Sequence, residues 1–502
     1  MENHSNDWQK LRGSSEIRAA EEFLTDSRVE KLGYALVCWL AERSGTAPEA
    51  LKLAVGRDDA SAGERIQTAI TRGITAADSD VLDCGVCPGP ALFRRCLADA
   101  DGAVLITADT ARGGLMGFKL MTASGGLRPG DAEKILELAE RLEVPERLVV
   151  DCDAVSDYYA ALRMTAARWL EDDALKPLLG MRVVADTGSS TGRGFARFLE
   201  SLGVEVEACP APDRSPAGFD SSPAVEAMAR AVLACGADMG VLLNTDGDRL
   251  CLVDDRGRLI HQNRLIALTA ALLLDGCSGA TIVTDSVTSS GLTAFIAEWG
   301  GIHYRFKRGY RNVIDEAVRL NAEGIDCPLA METSGHAAFR ENGFVDDGMY
   351  LATWIICRAL DSKREGKNLF ALLDELQEPV ESVEIRLPVL EEDGPAAAGQ
   401  ELVETVLSHT LEDSAWQAAP DSREGVRITF NLDGGINNAW FQLRMSLYDP
   451  VMALNAQSDV PGGVKRILTQ LYRVIRDTRE VNLSPLRREI EGAEETEARD
   501  GR

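Results

Sequence analysis

The chain has 502 residues and a formal net charge of −27 at pH 7. This length predicts three or four domains, and so strong a negative charge argues against nucleic acid or an anionic membrane as a partner. The polar, acidic start lacks the apolar core of a signal peptide, and the longest apolar run, around residues 265–274, is too short to span a bilayer. Eleven cysteines without the spacing of a disulfide scaffold indicate reduced thiols, so we expect a cytoplasmic protein.

The first 150 residues alternate between helical and strand-like apolar patterns. Helices are predicted over 21–43, 62–76, 90–97 and 131–142, and strands over 52–55, 81–83 and 103–106. This alternation indicates a mainly parallel sheet that is covered by helices on both faces.

The predicted strand at 103–106 runs into a polar turn, and the carboxyl end of a buried strand is where α/β proteins place their chemistry. The turn reads Thr107-Ala-Asp-Thr-Ala-Arg112, and Gly117-Phe-Lys119 opens the next strand. Upstream, Arg12-Gly-Ser-Ser-Glu-Ile-Arg18 lies just before the first long helix. Arg18 carries a planar, permanently charged fork that suits phosphate, although an ordinary surface arginine is the alternative.

Two turns follow apolar strands in the stretch up to about residue 276. Residues 188–194 form a glycine-rich turn without the GxGxxG spacing, which favours an ordinary strand-to-helix turn over a dinucleotide site. Farther on, an apolar strand leads into Asn244-Thr-Asp-Gly-Asp-Arg249. The turn therefore holds two closely spaced carboxylates, Asp246 and Asp248, and Mg²⁺ prefers such oxygen ligands. Simple solvation of the two acids is the alternative.

Further polar motifs follow in the second half of the chain. One is the basic turn Lys307-Arg-Gly-Tyr-Arg311, and another is Met331-Glu-Thr-Ser-Gly-His336. A third lies in the apolar stretch 439–453, where Arg444 and Ser446 precede Pro450. A lone histidine is usually structural, and a basic turn is often only solvated. A functional role for any one motif is therefore inferred only from its occurrence together with the others.

Taken in order, these motifs resemble the active-site loops of the α-D-phosphohexomutases, the phosphoglucomutase and phosphomannomutase family. The family patterns are Gly-Thr-Ser-Gly-Ile-Arg-Gly, Thr-Ala-Ser-His-Asn-Pro with Gly-Phe-Lys nearby, Asp-Gly-Asp-x-Asp-Arg, Gly-Glu-x-Ser-Gly-His and an Arg-x-Ser phosphate loop. The chain differs from these patterns at two positions that bear directly on the chemistry. Asp109 stands where the family has its phosphoserine, and Asn244 stands where it has its first metal-binding aspartate.

The resemblance implies an α/β fold with three consecutive mixed or mainly parallel α/β domains and a C-terminal α+β domain around a central cleft. The implied domains are 1–155 with the serine-like loop, 156–276 with the metal loop, 277–378 with the sugar-recognition loop and 379–485 with the phosphate loop. Residues 486–502, which are rich in Glu and Arg, are expected to form a disordered tail.

The resemblance also implies the residues of the site. The residues matched to catalysis are Asp109, Arg18 and Lys119, of which the last two match groups proposed for proton transfer. The residues matched to substrate binding are Glu332, Ser334, His336, Arg311, Arg444, Ser446 and Arg249. The residues matched to metal binding are Asp246, Asp248, Asn244 and Asp109. We expect Mg²⁺ as the cofactor and, for an active enzyme, hexose 1,6-bisphosphate as the activator.

The implied reaction moves a phosphoryl group between O1 and O6 of a hexose phosphate. Because Asp109 replaces the serine, three hypotheses stay open: a mutase that forms an aspartyl phosphate, a non-catalytic sugar-phosphate-binding or regulatory protein, and a changed hydrolysis or transfer. Loss of a nucleophile lowers a rate by about 10⁶-fold, so we favour impaired or altered catalysis. Hexose phosphates are the expected partners, and the sequence is compatible with a homo-oligomer.

Overall fold

A computed structural model of the protein describes residues 8, 11, 16–60, 62–109, 115–144, 150–151, 153–172, 175–209, 222–390, 394–446 and 449–500. The chain divides into two compact units. The first unit contains Met1–His261 and Ser334–Leu372, and the second contains Gln262–Thr333 and Leu373–Arg502. Among the described residues, no helix is both long enough and apolar enough to cross a membrane.

The described part of the chain alternates between strands and helices. The strands are β1 (Ile17–Ala19), β2 (Lys52–Arg57), β3 (Asp80–Val86), β4 (Gly102–Asp109), β5 (Leu115–Thr122), β6 (Gly125–Gly126), β7 (Val150–Asp151), β8 (Arg182–Asp186), β9 (Glu205–Cys209), β10 (Met239–Leu243), β11 (Leu250–Asp254), β12 (Leu259–Ile260), β13 (Thr281–Thr284), β14 (Ile302–Arg305), β15 (Leu329–Met331), β16 (Ala337–Phe339), β17 (Glu381–Pro388), β18 (Gln417–Ala418), β19 (Val426–Phe430), β20 (Ala439–Met445) and β21 (Val451–Ser458). The helices are α1 (Asp26–Ser44), α2 (Gly63–Ala76), α3 (Gly89–Asp99), α4 (Asp131–Arg141), α5 (Ala154–Trp169), α6 (Ser190–Ser201), α7 (Ser222–Cys235), α8 (Asn263–Leu274), α9 (Ser290–Glu298), α10 (Tyr310–Ala322), α11 (Gly348–Arg364), α12 (Pro395–His409), α13 (Gly463–Ile475) and α14 (Ser484–Asp500).

The first sheet of the first unit has the strand order β1-β5-β4-β2-β3-β7. Strands β4, β2, β3 and β7 run parallel, whereas β5 pairs antiparallel with β4 at one edge and β1 pairs antiparallel with β5. Side chains alternate between the two faces of a strand. On β4, Val104 and Ile106 accordingly join the apolar cluster beneath α1, α2 and α4, while Leu105 joins the cluster beneath α3. Helices therefore cover both faces, as the sequence predicts.

The second sheet of the first unit has the order β12-β11-β10-β8-β9. Every residue of β10 is buried, and β10 pairs antiparallel with β11 so that Leu243 lies opposite Leu250. The turn between these two residues is the predicted acidic turn, and it is anchored by a fully buried strand on each side. These two buried strands form a rigid frame that holds the turn of residues 244–249 in place.

The second unit contains a parallel three-stranded arrangement, β14-β13-β15, and an antiparallel sheet with the order β17-β21-β20-β19-β18. Helices α12, α13 and α14 pack against the antiparallel sheet over one apolar core. The predicted α/β class is confirmed.

The C-terminal segment differs from its prediction, because α14 continues to Asp500 where a disordered tail is expected from residue 486. Leu486 is fully buried in the core of the antiparallel sheet, and Ile490, one turn later, packs against the same core. These two apolar contacts anchor a helix whose remaining residues are mostly charged.

Candidate functional site

Most of the predicted polar motifs of the first unit meet in one place, which we call the first-unit cluster. Its residues are Glu16, Arg18, Lys119, Asn244, Asp246, Asp248, Arg249, His336 and Asp346. They come from four separate segments of the sequence. The fold therefore assembles a buried, highly charged site from motifs that are far apart in the chain.

Arg18 is positioned by a short strand that the sequence does not predict. Strand β1 pairs antiparallel with β5, and Arg18 lies opposite Gly117. The Arg18 side chain donates from Nε to Glu16 Oε2 at 2.8 Å. Burial raises the pKa of Glu16, but Arg18 and Lys119 outweigh it and lower that pKa, so Glu16 is a carboxylate. Arg18 and Lys119 are thereby held on the same side of the sheet edge.

Gly117→Ala is expected to displace Arg18 and to destabilise the protein by about 1–3 kcal/mol, the usual range for overpacking. A Cβ at Gly117 would lie 2.6 Å from both the Arg18 Cγ and the carbonyl oxygen of Ile17. Chemical denaturation measures the change. Gly276→Ala is the matched control, since a Cβ there meets nothing closer than 4.0 Å. Equal stability of both variants would contradict this close packing.

In the acidic turn, Lys119 and Asn244 both donate to the carboxylates of Asp246 and Asp248, and we call these four residues the clamp. Lys119 Nζ donates to Oδ2 of Asp246 and to Oδ2 of Asp248. Asn244 Nδ2 donates to Oδ1 of Asp246 at 2.6 Å and to Oδ1 of Asp248 at 2.7 Å. Asn244 Oδ1 accepts the backbone N–H of Arg249 at 3.0 Å, which fixes the orientation of the amide. All four carboxylate oxygens of the turn therefore accept a hydrogen bond from within the chain.

The charges around Asp248 keep it ionised in a buried position. Burial raises its pKa, but Lys119, His336 and Arg249 lower it far below the usual range. His336 Nδ1 lies 3.9 Å from Asp248 and forms a shorter contact with Asp346. Burial lowers the pKa of His336, whereas Asp346 and Asp248 raise it more strongly, which favours the imidazolium. One ligand atom from each of Asp248, His336 and Asp346 lies within 4.8 Å of the others, a group that could hold a metal ion.

Asp109 is the last residue of β4, and its backbone pairs with Leu115 of β5. Its side chain and residues 110–114 lie outside the described residues. The strand end before it is fixed by Asp58, whose Oδ2 accepts the Ala108 N–H at 2.7 Å. The first predicted catalytic residue, Asp109, therefore lies at the end of a firmly anchored strand.

The remaining predicted residues lie largely in the second unit, where a second group of charges forms. This second-unit cluster contains Asp285, Arg308, Glu332, Glu384, Glu424 and Arg444. Glu332 Oε1 accepts the Gly309 N–H at 2.6 Å, which ties the predicted sugar loop to the basic turn. Arg308 Nε lies 3.9 Å from Asp285, and Arg444 Nε lies 3.8 Å from Glu424. Two guanidinium groups are thus set among four carboxylates.

Arg311 is the predicted cation of the basic turn, but the structure brings Arg308 into the cluster. The Arg311 side chain pairs with Asp315, one turn along α10, at 2.5 Å. Ser446 directly follows β20, and its N–H donates to the carbonyl of Val451 at 2.9 Å. Ser334 belongs to the first unit, beside Gly335, and residues 447–448 of the phosphate loop lie outside the described residues.

Asp347, next to the first-unit cluster in sequence, carries a pH-sensitive carboxyl group. Burial raises its pKa to about 7, although the Tyr350 N–H and the Tyr158 hydroxyl both donate to it. An acid with a raised pKa stabilises the fold while protonated. Its contribution is full below the unfolded-state pKa near 4 and is lost as the pH rises to about 7.

Asp347→Asn is expected to remove that loss. The wild type should lose up to about 4 kcal/mol of unfolding free energy through this group between roughly pH 4 and pH 7. The variant keeps an acceptor oxygen for the Tyr350 N–H but cannot ionise. Denaturant titrations across this range measure both slopes. The assignment is contradicted if the two proteins lose stability in parallel.

Comparison with known proteins gives a consistent result. The profile for phosphoglucomutase/phosphomannomutase alpha/beta/alpha domain I matches residues 9–144, and that for domain III matches residues 261–380. A phosphoglucosamine mutase of Thiobacillus denitrificans is 31% identical over 411 residues, which cover 76% of this chain and 84% of that protein. The chain belongs to the phosphoglucomutase/phosphomannomutase family.

Solved structures of phosphohexomutases show the same fold. A phosphoglucomutase/phosphomannomutase family protein from Burkholderia thailandensis superposes with a TM-score of 0.72 at 22% identity, covering 94% of this chain and 98% of the other. An N-acetylphosphoglucosamine mutase of Aspergillus fumigatus, in complex with GlcNAc-6P and magnesium, has a TM-score of 0.51 at 13% identity, with coverage of 85% and 77%.

Sequence reasoning did not select several charged residues that lie in or beside the first-unit cluster or the second-unit cluster. They are Glu16, Asp58, Asp285, Arg308 and Glu424. Three of them had a visible signal, since Glu16 is two residues from Arg18, Asp58 follows a buried strand and Arg308 lies in the predicted basic turn. The other two, Asp285 and Glu424, become neighbours of Arg308 and Arg444 only through tertiary folding.

Proposed function

We propose that this chain is a phosphohexomutase with impaired or altered catalysis, which binds hexose phosphates and transfers a phosphoryl group between sugar O1 and O6. The observation that carries the proposal is the first-unit cluster, where Arg18, Lys119 and His336 gather around buried carboxylates. Cations in a buried site stabilise charge that develops on a transferring phosphoryl group. The known relatives named above support the choice of hexose phosphates.

Asp109 is proposed as the phosphoryl carrier in place of serine. A carboxylate oxygen of Asp109 would attack phosphorus, the bond from phosphorus to the sugar oxygen would break, and the departing oxygen would take a proton from Lys119, while Arg18 would stay charged beside the reacting phosphate. The reverse step returns the phosphoryl group to the other sugar hydroxyl. An aspartyl phosphate hydrolyses readily, so we expect turnover to be slow compared with leakage to free phosphate.

A divalent ion fits the donor chemistry of the first-unit cluster. We propose that Mg²⁺ is held by Asp246 and Asp248 with Asp109 as an added carboxylate, because Mg²⁺ prefers oxygen ligands. Asn244 presents its NH₂ group to these carboxylates, so its predicted role as a carbonyl ligand requires the amide to turn. When bound, the ion would neutralise phosphoryl oxygen charge.

Substrate recognition is proposed for Glu332, Ser334 and His336 toward sugar hydroxyls and for Arg444 and Ser446 toward phosphate. The carboxylate and hydroxyl groups suit vicinal hydroxyls, and a guanidinium suits phosphate. Burial lowers the pKa of Arg444, but an arginine remains charged in proteins. Arg308 is added as a second phosphate-facing cation, since it shares the second-unit cluster with Arg444. We keep Arg311 and Arg249 as secondary candidates.

The second candidate function is a non-catalytic sugar-phosphate-binding or regulatory protein. Asn244 favours it, because the carboxylates of the acidic turn are satisfied by Lys119 and by an amide rather than by a third aspartate. Under this hypothesis Asp109 is a fixed anion that takes the place of a phosphoserine.

A coupled mutase assay on the purified protein tests the proposal. It contains glucose 1-phosphate or mannose 1-phosphate, Mg²⁺ and a catalytic amount of hexose 1,6-bisphosphate. We expect slow but protein-dependent turnover, well below the range of about 1–10³ s⁻¹ that is typical of enzymes. Complete absence of turnover, with hexose phosphate binding retained, would favour the second candidate instead.

A further inference from the structure

The two carboxylates of the acidic turn already have an internal counter-ion. Lys119 Nζ bridges Asp246 and Asp248, with a distance of 2.5 Å to Asp248, and all three side chains are nearly buried. An ammonium group that donates to two carboxylates occupies the space in which a cation between them would lie. Any other cation must therefore move Lys119 before both oxygens become available.

Asn244 closes the opposite side of the same pair. Its NH₂ group donates to the remaining oxygen of each carboxylate, and the Arg249 N–H holds the amide in that orientation. Two backbone features make this turn stiff: Gly247 has a positive φ of 77°, and the Asn244 carbonyl accepts the Gly247 N–H at 3.2 Å. The amide adds hydrogen bonds without adding negative charge.

The local charge balance follows from these contacts. Two carboxylates face one ammonium and a neutral amide, so the clamp has a net charge near −1. His336 and Arg249 lie on the outer side of Asp248 and supply further positive charge. An aspartate at position 244 would make three carboxylates meet, and repulsion between them would create a demand for a divalent ion.

We propose that Lys119 and Asn244 form a built-in substitute for the metal ion, so that a divalent cation binds the acidic turn only in competition with the Lys119 ammonium. The inference rests on the proposed metal role of Asp246 and Asp248. It assigns Lys119 a second task beside proton transfer, which is to set the affinity of the turn for metal. Metal occupancy then depends on whether Lys119 is drawn away, for example by an anionic phosphate.

The test is a titration of the full-length protein with Mn²⁺ in the absence of any sugar phosphate, followed by electron paramagnetic resonance of free Mn²⁺. Asn244→Asp adds the missing carboxylate, and Lys119→Met removes the competing ammonium. Both variants are expected to bind Mn²⁺ at least ten times more tightly than the wild type. Lys363→Met, which removes a surface ammonium paired with Asp238, should leave the affinity unchanged.

Wild-type affinity equal to that of Lys119→Met would overturn the proposal, because removal of the ammonium must free the turn for the metal ion. Lys119→Gln, which also removes the positive charge, takes its place if Lys119→Met does not fold. Because no sugar phosphate is present, the result is independent of substrate binding. A protein that binds Mn²⁺ as described but no hexose phosphate would refute the proposed function and leave the competition intact.

Discussion

Lys119→Met is expected to lower the free energy of unfolding by about 3–5 kcal/mol in metal-free buffer, the range measured when one partner of a buried ion pair is removed. Lys119 is the ammonium that bridges Asp246 and Asp248, which are 6% and 11% exposed. Without it, two like charges remain close together in a site of low dielectric. Guanidinium denaturation of the purified variant measures the loss.

Addition of Mg²⁺ gives a second test, because the stability of the variant and that of the wild type should change by different amounts. An ion that binds only the native state stabilises that state in proportion to the logarithm of its concentration. Millimolar Mg²⁺ should restore much of the lost stability to Lys119→Met and add little to the wild type. Lys363→Met is the control, since its ion pair with Asp238 lies at the protein surface and contributes about 1 kcal/mol or less. If Lys119→Met loses as little unfolding free energy as the control does, Lys119 does not bridge the two carboxylates as described.

Asp109→Ser is expected to raise mutase turnover by roughly 10³-fold or more, since loss of a proper nucleophile accounts for the largest rate deficits that single residues cause. A phosphoserine is stable between turnovers, whereas an aspartyl phosphate is lost to water. The assay is the coupled conversion of glucose 1-phosphate in the presence of hexose 1,6-bisphosphate. Mass spectrometry would show the phosphoryl group on residue 109.

Asp109→Asn is the matched control for this variant. The amide has nearly the same shape as the carboxylate but is a poor nucleophile, so turnover should fall below detection. If Asp109→Asn keeps the wild-type rate, Asp109 is not the carrier. If Asp109→Ser gains nothing while both variants still bind hexose phosphate, the defect lies elsewhere, and the Asn244 position is the first to examine.

Much of the fold was readable from periodicity. The apolar run at residues 103–106 predicts β4 because a strand that is buried on both faces must be apolar on both. Strand β1 was missed because three residues are too few to show the alternation of a strand, and because its pairing depends on Gly117 of the neighbouring strand. The extent of helix α14 was missed because its composition suggests disorder, while the two side chains that anchor it, Leu486 and Ile490, contact residues far away in sequence.

The sequence predicted which motifs contribute to the candidate site, but it did not predict the contacts between their side chains. The order of motifs predicted that Arg18, Lys119, Asp246 and Asp248 belong to functional loops, and the structure brings them together. The sequence could not tell that the Asn244 amide turns its NH₂ group inward, because this depends on the hydrogen bond from the Arg249 backbone.

The basic turn shows the same limit in the second unit. Arg308 and Arg311 are three residues apart, and the choice between them depends on where α10 begins. Arg308 precedes the helix and reaches Asp285, whereas Arg311 lies in the first turn and pairs with Asp315. Spacing alone ranks the two arginines equally.

Calorimetric titration of the wild-type protein with glucose 1-phosphate and mannose 1-phosphate tests the central claim most directly. The account predicts saturable binding of at least one hexose phosphate, at least ten times tighter than that of unphosphorylated glucose, because we propose that the guanidinium groups of Arg444 and Arg308 bind the phosphate. The binding should weaken in Arg444→Met. Absence of saturable binding by any hexose phosphate, with the protein shown to be folded, would contradict the account.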